Sequence, residues 1–132
     1  MLYKKLGDTR VEVPAIGQGT NGAGSLSVTT DALIRRRSDV LRLGIELGMT
    51  FLDTAESYEF GHAEEITGKA IQGIRDNVFV STKFAPSNNS YQGVMSAIEG
   101  SLRRLGTDYI DLYQVHWPNP SIPISRTMSA LT

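Results

Sequence analysis

The sequence predicts an α/β fold of the (β/α)8 TIM-barrel type, truncated to about four β/α units behind an N-terminal β-hairpin, with residues 1–132 as a single domain. Three observations predict it. Short runs rich in β-branched and aromatic residues alternate with longer stretches of helical periodicity, the pattern of parallel strands joined by crossover helices. The strand-like runs begin near residues 15, 49, 78 and 109, close to the repeat of roughly 31 residues that eight units give a barrel of about 250. The last three runs each end on a polar residue, Asp53, Lys83 and His116, as barrel strands do where they meet a site.

The elements follow in order. Tyr3 to Leu6 and Val11 to Val13, joined through Gly7-Asp8-Thr9, form a hairpin. Ala15 to Thr20 is the first barrel strand, followed by a Gly/Ser/Thr-rich loop from Asn21 to Thr30. A helix starts near Asp31 with Thr30 as its N-cap, carries Leu33, Val40, Leu41, Gly44 and Ile45 on one face, and stops at Gly48. Met49 to Asp53 is the second strand. Ala63, Ile66, Ala70 and Ile71 mark a second helix ending about Gly73, and Val78 to Lys83 is the third strand. Tyr91, Val94, Ile98, Leu102 and Leu105 repeat at helical spacing up to Gly106, before the fourth strand, Tyr109 to His116. Pro118, Pro120 and Pro123 hold the next segment extended, and a helix starts near Ser125 with Met128 and Leu131 as its apolar positions. Four units leave an open sheet edge and an uncovered apolar face. Self-association, pairing with another chain, or membership of a longer protein is therefore expected.

Composition narrows the function classes. The 40% hydrophobic and 20% charged content is that of a globular protein. A net charge of −1 gives no attraction to nucleic acid or to an anionic membrane, and no apolar run approaches a bilayer span. A cytoplasmic protein is expected. With no cysteine and two histidines, His62 and His116, neither disulfides nor a metal site is expected.

Side chains alternate along a strand, so Met49, Phe51 and Asp53 share a face, as do Phe79, Ser81 and Lys83, and Ile110, Leu112, Gln114 and His116. Strands lie about 4.8 Å apart, which brings three neighbouring strand ends within roughly 10 Å. Tyr58 follows in the loop after the second strand. A nearby cation favours phenolate over phenol, which makes a tyrosine a better acid. Lys83 supplies that charge, Asp53 orients Lys83 as its ion-pair partner, and His116 donates a hydrogen bond at the reacting centre. A carbonyl that gains a hydride builds negative charge on oxygen, and this set of groups suits its protonation.

At these residues the chain resembles the aldo-keto reductases. Phe51-Leu52-Asp53-Thr54-Ala55-Glu56-Ser57-Tyr58 and Gly61-His62-Ala63-Glu64-Glu65 are similar to the family's Asp-to-Tyr signature. Ser81-Thr82-Lys83 and the run from Asp108 to Pro118 are similar to its lysine and histidine strands, and the hairpin to its barrel-bottom lid. The resemblance implies Tyr58 as general acid, Lys83 and Asp53 as its tuning pair, and His116 as the substrate-orienting group. It implies NADPH as cofactor, with Gly19, Thr20, Asn21 and Asp53 near the nicotinamide end, and a small aldehyde or ketone as substrate. The family's fifth to eighth strands, which hold much of the cofactor, have no counterpart in these residues. The 132 residues alone are thus expected to bind cofactor weakly and to be nearly inactive.

Other signals are weighed against this one. A non-catalytic binding or regulatory subunit on the same half-barrel is the alternative function. Gly17-Gln18-Gly19-Thr20-Asn21-Gly22 fits G-x-G-x-x-G, but the helical pattern resumes only near Asp31, so a Rossmann phosphate turn is not expected. Arg35-Arg36-Arg37 reads as a solvated basic face, and Asn88-Asn89-Ser90 as a glycosylation sequon without use inside the cell.

Overall fold

A computed structural model describes residues 1–22 and 30–132. Strands β1 (Tyr3–Lys5) and β2 (Glu12–Pro14) form the hairpin, with Tyr3 opposite Pro14 and Lys5 opposite Glu12. Four parallel strands follow in the spatial order of the sequence: β3 (Gln18–Gly19), β4 (Phe51–Asp53), β5 (Phe79–Phe84) and β6 (Leu112–Val115). Helices α1 (Asp31–Glu46), α2 (His62–Ile71) and α3 (Tyr91–Leu105) connect them, and α4 (Ile124–Met128) comes last. These are four β/α units of a barrel, as the spacing predicts. Most of the predicted loop from Asn21 to Thr30, residues 23–29, lies outside the described residues.

Three barrel strands are shorter than the sequence suggests, and the second begins only at Phe51, two residues after Met49. Pairing in β3 is confined to Gln18 and Gly19, opposite Leu52 and Asp53. The stretch from Tyr109 to Ile110 stays out of the ladder because side chains satisfy its surroundings. The Arg75 guanidinium donates to the Tyr109 carbonyl at 3.1 Å and to Asp111 Oδ2 at 2.7 Å, and the Val80 N–H donates to that same carboxylate oxygen at 2.8 Å.

The helices begin and end on local chemistry. Thr30 Oγ1 accepts from the Leu33 N–H at 3.3 Å, and Ser90 Oγ from Gly93 at 3.0 Å, which caps α1 and α3. Gly106, at φ +64, ends α3 in the left-handed conformation that glycine adopts freely. The buried stripe of α1 is Ile34, Ser38, Leu41, Gly44 and Ile45. Val40, expected among them, is 62% exposed. It stands about 100° around the helix from Leu41, which packs against Ile66 and Ala70 of α2, and so turns to solvent. Small residues, not only large ones, make the contact face of α3: Ala97, Gly100 and Ser101 are buried beside Val94 and Leu105, whereas Tyr91 is exposed. In α4 Thr127 is the buried residue and Met128 is exposed, because Thr127 Oγ1 donates to the Asn89 carbonyl at 2.7 Å and fixes which side faces in. Leu131 packs against the core with Ala130.

The sheet has two unlike faces. Leu52, Val80, Thr82 and Phe84 lie under the helices and are wholly buried. Gln18 also points to the helix side, where its amide donates to the carbonyls of Leu41 at 3.1 Å and Met49 at 3.0 Å. Gly44 makes that possible, since a Cβ there would stand 2.1 Å from Gln18 Oε1. The opposite face carries Phe51 and Phe79, stacked at 5.4 Å, and Ser81, whose hydroxyl donates to Gln114 Oε1 at 2.8 Å. On this inner face Ser81 is fully buried, whereas Phe51, Asp53, Phe79, Lys83 and Gln114 are half-buried. No helix among them is long and apolar enough to cross a membrane.

Candidate active site

Parallel register sets the positions of the polar strand ends. Asp53 lies opposite Ser81, and Lys83, one repeat further along β5, lies opposite Gln114. Asp53, Ser81 and Lys83 therefore share the inner face, and Lys83 stands just beyond Asp53. His116 directly follows β6, held by its N–H to the Phe84 carbonyl at 3.1 Å. Tyr58 begins a tight turn, Tyr58–Gly61, and its N–H donates to the Ala55 carbonyl at 3.1 Å.

The four side chains come together. Lys83 Nζ donates to Asp53 Oδ1 at 2.7 Å and to the Thr54 carbonyl at 2.9 Å. Only 15% of the lysine side chain is exposed, so it folds back onto the site and does not reach out to water as a strand-end lysine commonly does. Its ammonium lies 5.4 Å from the centroid of the Tyr58 ring. The His116 ring meets the Tyr58 ring edge-on, centroids 5.4 Å apart and planes at 80°. The Lys83 hydrogen bonds go to Asp53 and Thr54, and among the described residues none goes to the phenol.

His116 is held below its usual pKa of 6.5, first by burial and then by the Lys83 charge, with Asp53 and Glu56 opposing. At neutral pH it is an uncharged imidazole with one N–H to give. Ser57 Oγ lies 3.1 Å from its Nδ1, and the exposed Trp117 indole stacks on the ring at 5.9 Å and 14°.

The expected cofactor-end residues adjoin Asp53. The Thr20 N–H and hydroxyl both donate to the Asp53 carbonyl, at 2.9 and 3.2 Å. Gly19 is level with Asp53, and among the described residues a Cβ there would meet nothing within 4 Å. Asn21 is exposed. Open space beside a backbone strand end, with an aspartate side chain 36% exposed next to it, fits a flat polar ring. The G-x-G-x-x-G match does not form a phosphate turn: α1 opens at Asp31 on its Thr30 cap, well past Gly22.

Several residues of the site's framework are not evident from the sequence alone. Glu56 Oε1 accepts from the Ala85 N–H and from Asn88 Nδ2 at 2.7 Å, tying the loop after β4 to the loop after β5. Glu64 is fully buried and accepts from Thr82 Oγ1 at 2.6 Å and Arg104 Nε at 2.7 Å. Its place two helical turns before Ile71 was the available signal. Arg37 leaves the solvated basic face expected of it. It pairs with Glu59, and its Nη2 lies 3.5 Å from the Thr20 carbonyl, bridging the loops after β3 and β4. Glu59 and Phe60 hold positive φ, +50° and +57°, uncommon for residues other than glycine. The strained turn directly follows Tyr58.

Fold and site together define a barrel-type α/β protein with an aspartate, tyrosine, lysine and histidine gathered at the C-terminal strand ends. Comparison with known proteins agrees: residues 15–132 match the Aldo/keto reductase family. The chain is 46% identical over 123 residues to the methylglyoxal reductase YeaE of Escherichia coli (strain K12), covering 92% of this chain and 41% of that protein. It is 40% identical over 142 aligned positions to the aldo-keto reductase YhdN of Bacillus subtilis (strain 168), covering 99% of this chain and 42% of that protein. Among solved structures, the thermostable aldo-keto reductase Tm1743, in complex with the inhibitor epalrestat, superposes with a TM-score of 0.92 at 42% identity, over 99% of this chain and 48% of that one. A Klebsiella pneumoniae aldo/keto reductase in complex with NADP and acetate superposes with a TM-score of 0.81 at 42% identity, over 90% of this chain and 40% of that one. The chain belongs to the aldo-keto reductase family, whose solved members it matches as part of a (β/α)8 barrel. It spans less than half the length of these relatives.

Proposed function

We propose that this chain carries the catalytic half of a cytoplasmic NADPH-dependent reductase that converts an aldehyde or ketone to its alcohol, with Tyr58 as general acid. The observation that carries the proposal is the Lys83 ammonium, bonded to Asp53 at 2.7 Å while lying beside the Tyr58 ring. A positive charge next to a phenol favours loss of its proton, and Asp53 keeps that charge oriented. Tyr58 gives its proton to the carbonyl oxygen, and His116, uncharged at neutral pH, gives that oxygen a hydrogen bond. NADPH, when bound, supplies the hydride for the carbonyl carbon. Gly19, Thr20, Asn21 and Asp53 would hold its nicotinamide end, and the open space at Gly19 supports that role. The exposed Trp117 face beside His116 offers the substrate an apolar wall.

Likeness to a methylglyoxal reductase supports an aldehyde as substrate. The half-buried inner face and the unpaired outer edges of β3 and β6 support a covering partner, either further chain or a second copy. Turnover by these 132 residues alone is accordingly expected to be slow. The test is carbonyl-dependent loss of NADPH absorbance by the pure chain, with its mass in solution measured alongside. The proposal expects oxidation that needs both carbonyl and Tyr58, and NADPH loss of equal rate in Tyr58→Phe would overturn it.

A further inference from the structure

A neutral histidine carries its proton on either ring nitrogen, and a carbonyl can be polarised only by the nitrogen that has it. In this site the choice rests on a residue outside the four expected ones. Ser57 immediately precedes Tyr58, and its hydroxyl oxygen lies 3.1 Å from His116 Nδ1. The neighbouring Glu56 side chain turns the other way, to Ala85 and Asn88, and among the described residues Ser57 is the one that hydrogen-bonds the imidazole.

We propose that Ser57 is a positioning residue that fixes the tautomer of His116: its O–H donates to Nδ1 and leaves the ring proton on Nε2. Three features favour this direction of the bond. Among the described residues the Ser57 hydroxyl has no other acceptor, and Nε2 has no protein partner. Nδ1 is then filled, and Nε2–H is the donor left to meet an incoming oxygen. Tyr58 packs against the ring edge-on and Trp117 lies parallel to it, which favours the ring orientation that holds Nδ1 against Ser57. A lowered proton affinity keeps the imidazole in the neutral state in which tautomer matters.

The other histidine gives an internal contrast. His62 Nδ1 lies 2.8 Å from Glu65 Oε2, a carboxylate that can only accept. Its proton is therefore on Nδ1. The two histidines of the chain are assigned opposite tautomers, His116 with Nε2–H and His62 with Nδ1–H.

The importance of Ser57 for turnover rests on the reductase proposal, whereas the tautomer does not, and the experiment separates them. Two-bond nitrogen-proton spectra of the uniformly nitrogen-15-labelled chain, at a pH above the titration of both histidines, read each ring directly. The expected result is Nε2–H for His116, a shift toward a mixture in Ser57→Ala, and retention in Ser57→Thr, with His62 unchanged throughout. His116 found as Nδ1–H, or unchanged by Ser57→Ala, would overturn the assignment. In the turnover assay Ser57→Ala should lower kcat about three- to tenfold, the scale of one hydrogen bond, with KM for NADPH little altered. Unaltered kcat beside a shifted tautomer would overturn the positioning role while leaving the assignment standing. Equal turnover by wild type and Tyr58→Phe, with the expected spectra, would count against the reductase proposal while leaving the tautomer assignment standing.

Discussion

Replacing Arg104 with methionine leaves Glu64 buried without its charge partner, and the structure sets the size of the effect. Glu64 is fully buried and held by two short bonds, from Thr82 Oγ1 at 2.6 Å and Arg104 Nε at 2.7 Å. Breaking a buried ion pair from one side costs about 3–5 kcal/mol. Here water reaches the pair from the arginine side, which is 27% exposed, and the Thr82 bond survives, so the cost falls at or below the bottom of that range, about 2–3 kcal/mol. With a urea dependence of about 1.5 kcal/mol per molar, the unfolding midpoint should fall by roughly 1.5–2 M. Urea titration followed by far-ultraviolet circular dichroism measures it. Glu64→Gln together with Arg104→Met removes both charges and keeps an acceptor for Thr82, so the double variant should recover at least half of the loss. An Arg104→Met midpoint within about 0.3 M of wild type, or a double variant no more stable than the single one, would refute the reasoning. The pair ties α2 and α3 to Thr82, the chain neighbour of Lys83, so its loss also loosens the strand that presents the Lys83 ammonium.

Two further perturbations probe other parts of the account. Gly68 sits where α2 crosses α3, and a Cβ there would lie 2.5 Å from the Leu105 carbonyl oxygen; Gly68→Ala should destabilise the chain by about 1–3 kcal/mol despite alanine's better helix propensity, and a neutral or stabilising result in thermal unfolding would show that the helices can separate freely. His116 binds its proton less tightly in the folded chain than in the unfolded one, chiefly through burial and Lys83. Its contribution to stability is therefore complete above the unfolded value of about 6.5 and is lost as pH falls below it. Proton titration by nuclear magnetic resonance should give a His116 midpoint below 6.5, the His116→Gln variant should lose less stability on acidification, and a midpoint above 6.5 would reverse the sign.

The barrel architecture was legible because hydrophobic period, strand spacing and polar strand ends agree with one another. Asp53, Lys83 and His116 could be found for the same reason: strand alternation fixes the side on which a residue emerges. Element edges were harder. Tyr109 and Ile110 look like strand, yet Arg75 satisfies the Tyr109 carbonyl from another part of the chain. Val40 and Met128 were expected on packed faces because they are apolar, but at one residue's offset a helix turns by about 100°, and in α4 a threonine with a buried partner prevails. Polar residues that act through long-range pairs left little trace. Glu64 and Arg104 are ordinary helix charges until the fold places them together, and Arg37 belongs to a basic run until Glu59 faces it. The contact of Ser57 with His116 joins residues from different strand ends, far apart in sequence, and appears only once the fold brings them together.

Deuterium transfer tests the central claim most directly, because mass spectrometry detects slow turnover. The chain is incubated with an aldehyde and NADPH deuterated at the transferring position, and the alcohol is analysed for label on its carbinol carbon. The account predicts labelled alcohol from the wild-type chain and a yield lower by roughly 100- to 10,000-fold from Tyr58→Phe, the range for loss of a general acid. Labelled product formed equally by both proteins, or no label from the wild-type chain at all, would contradict it.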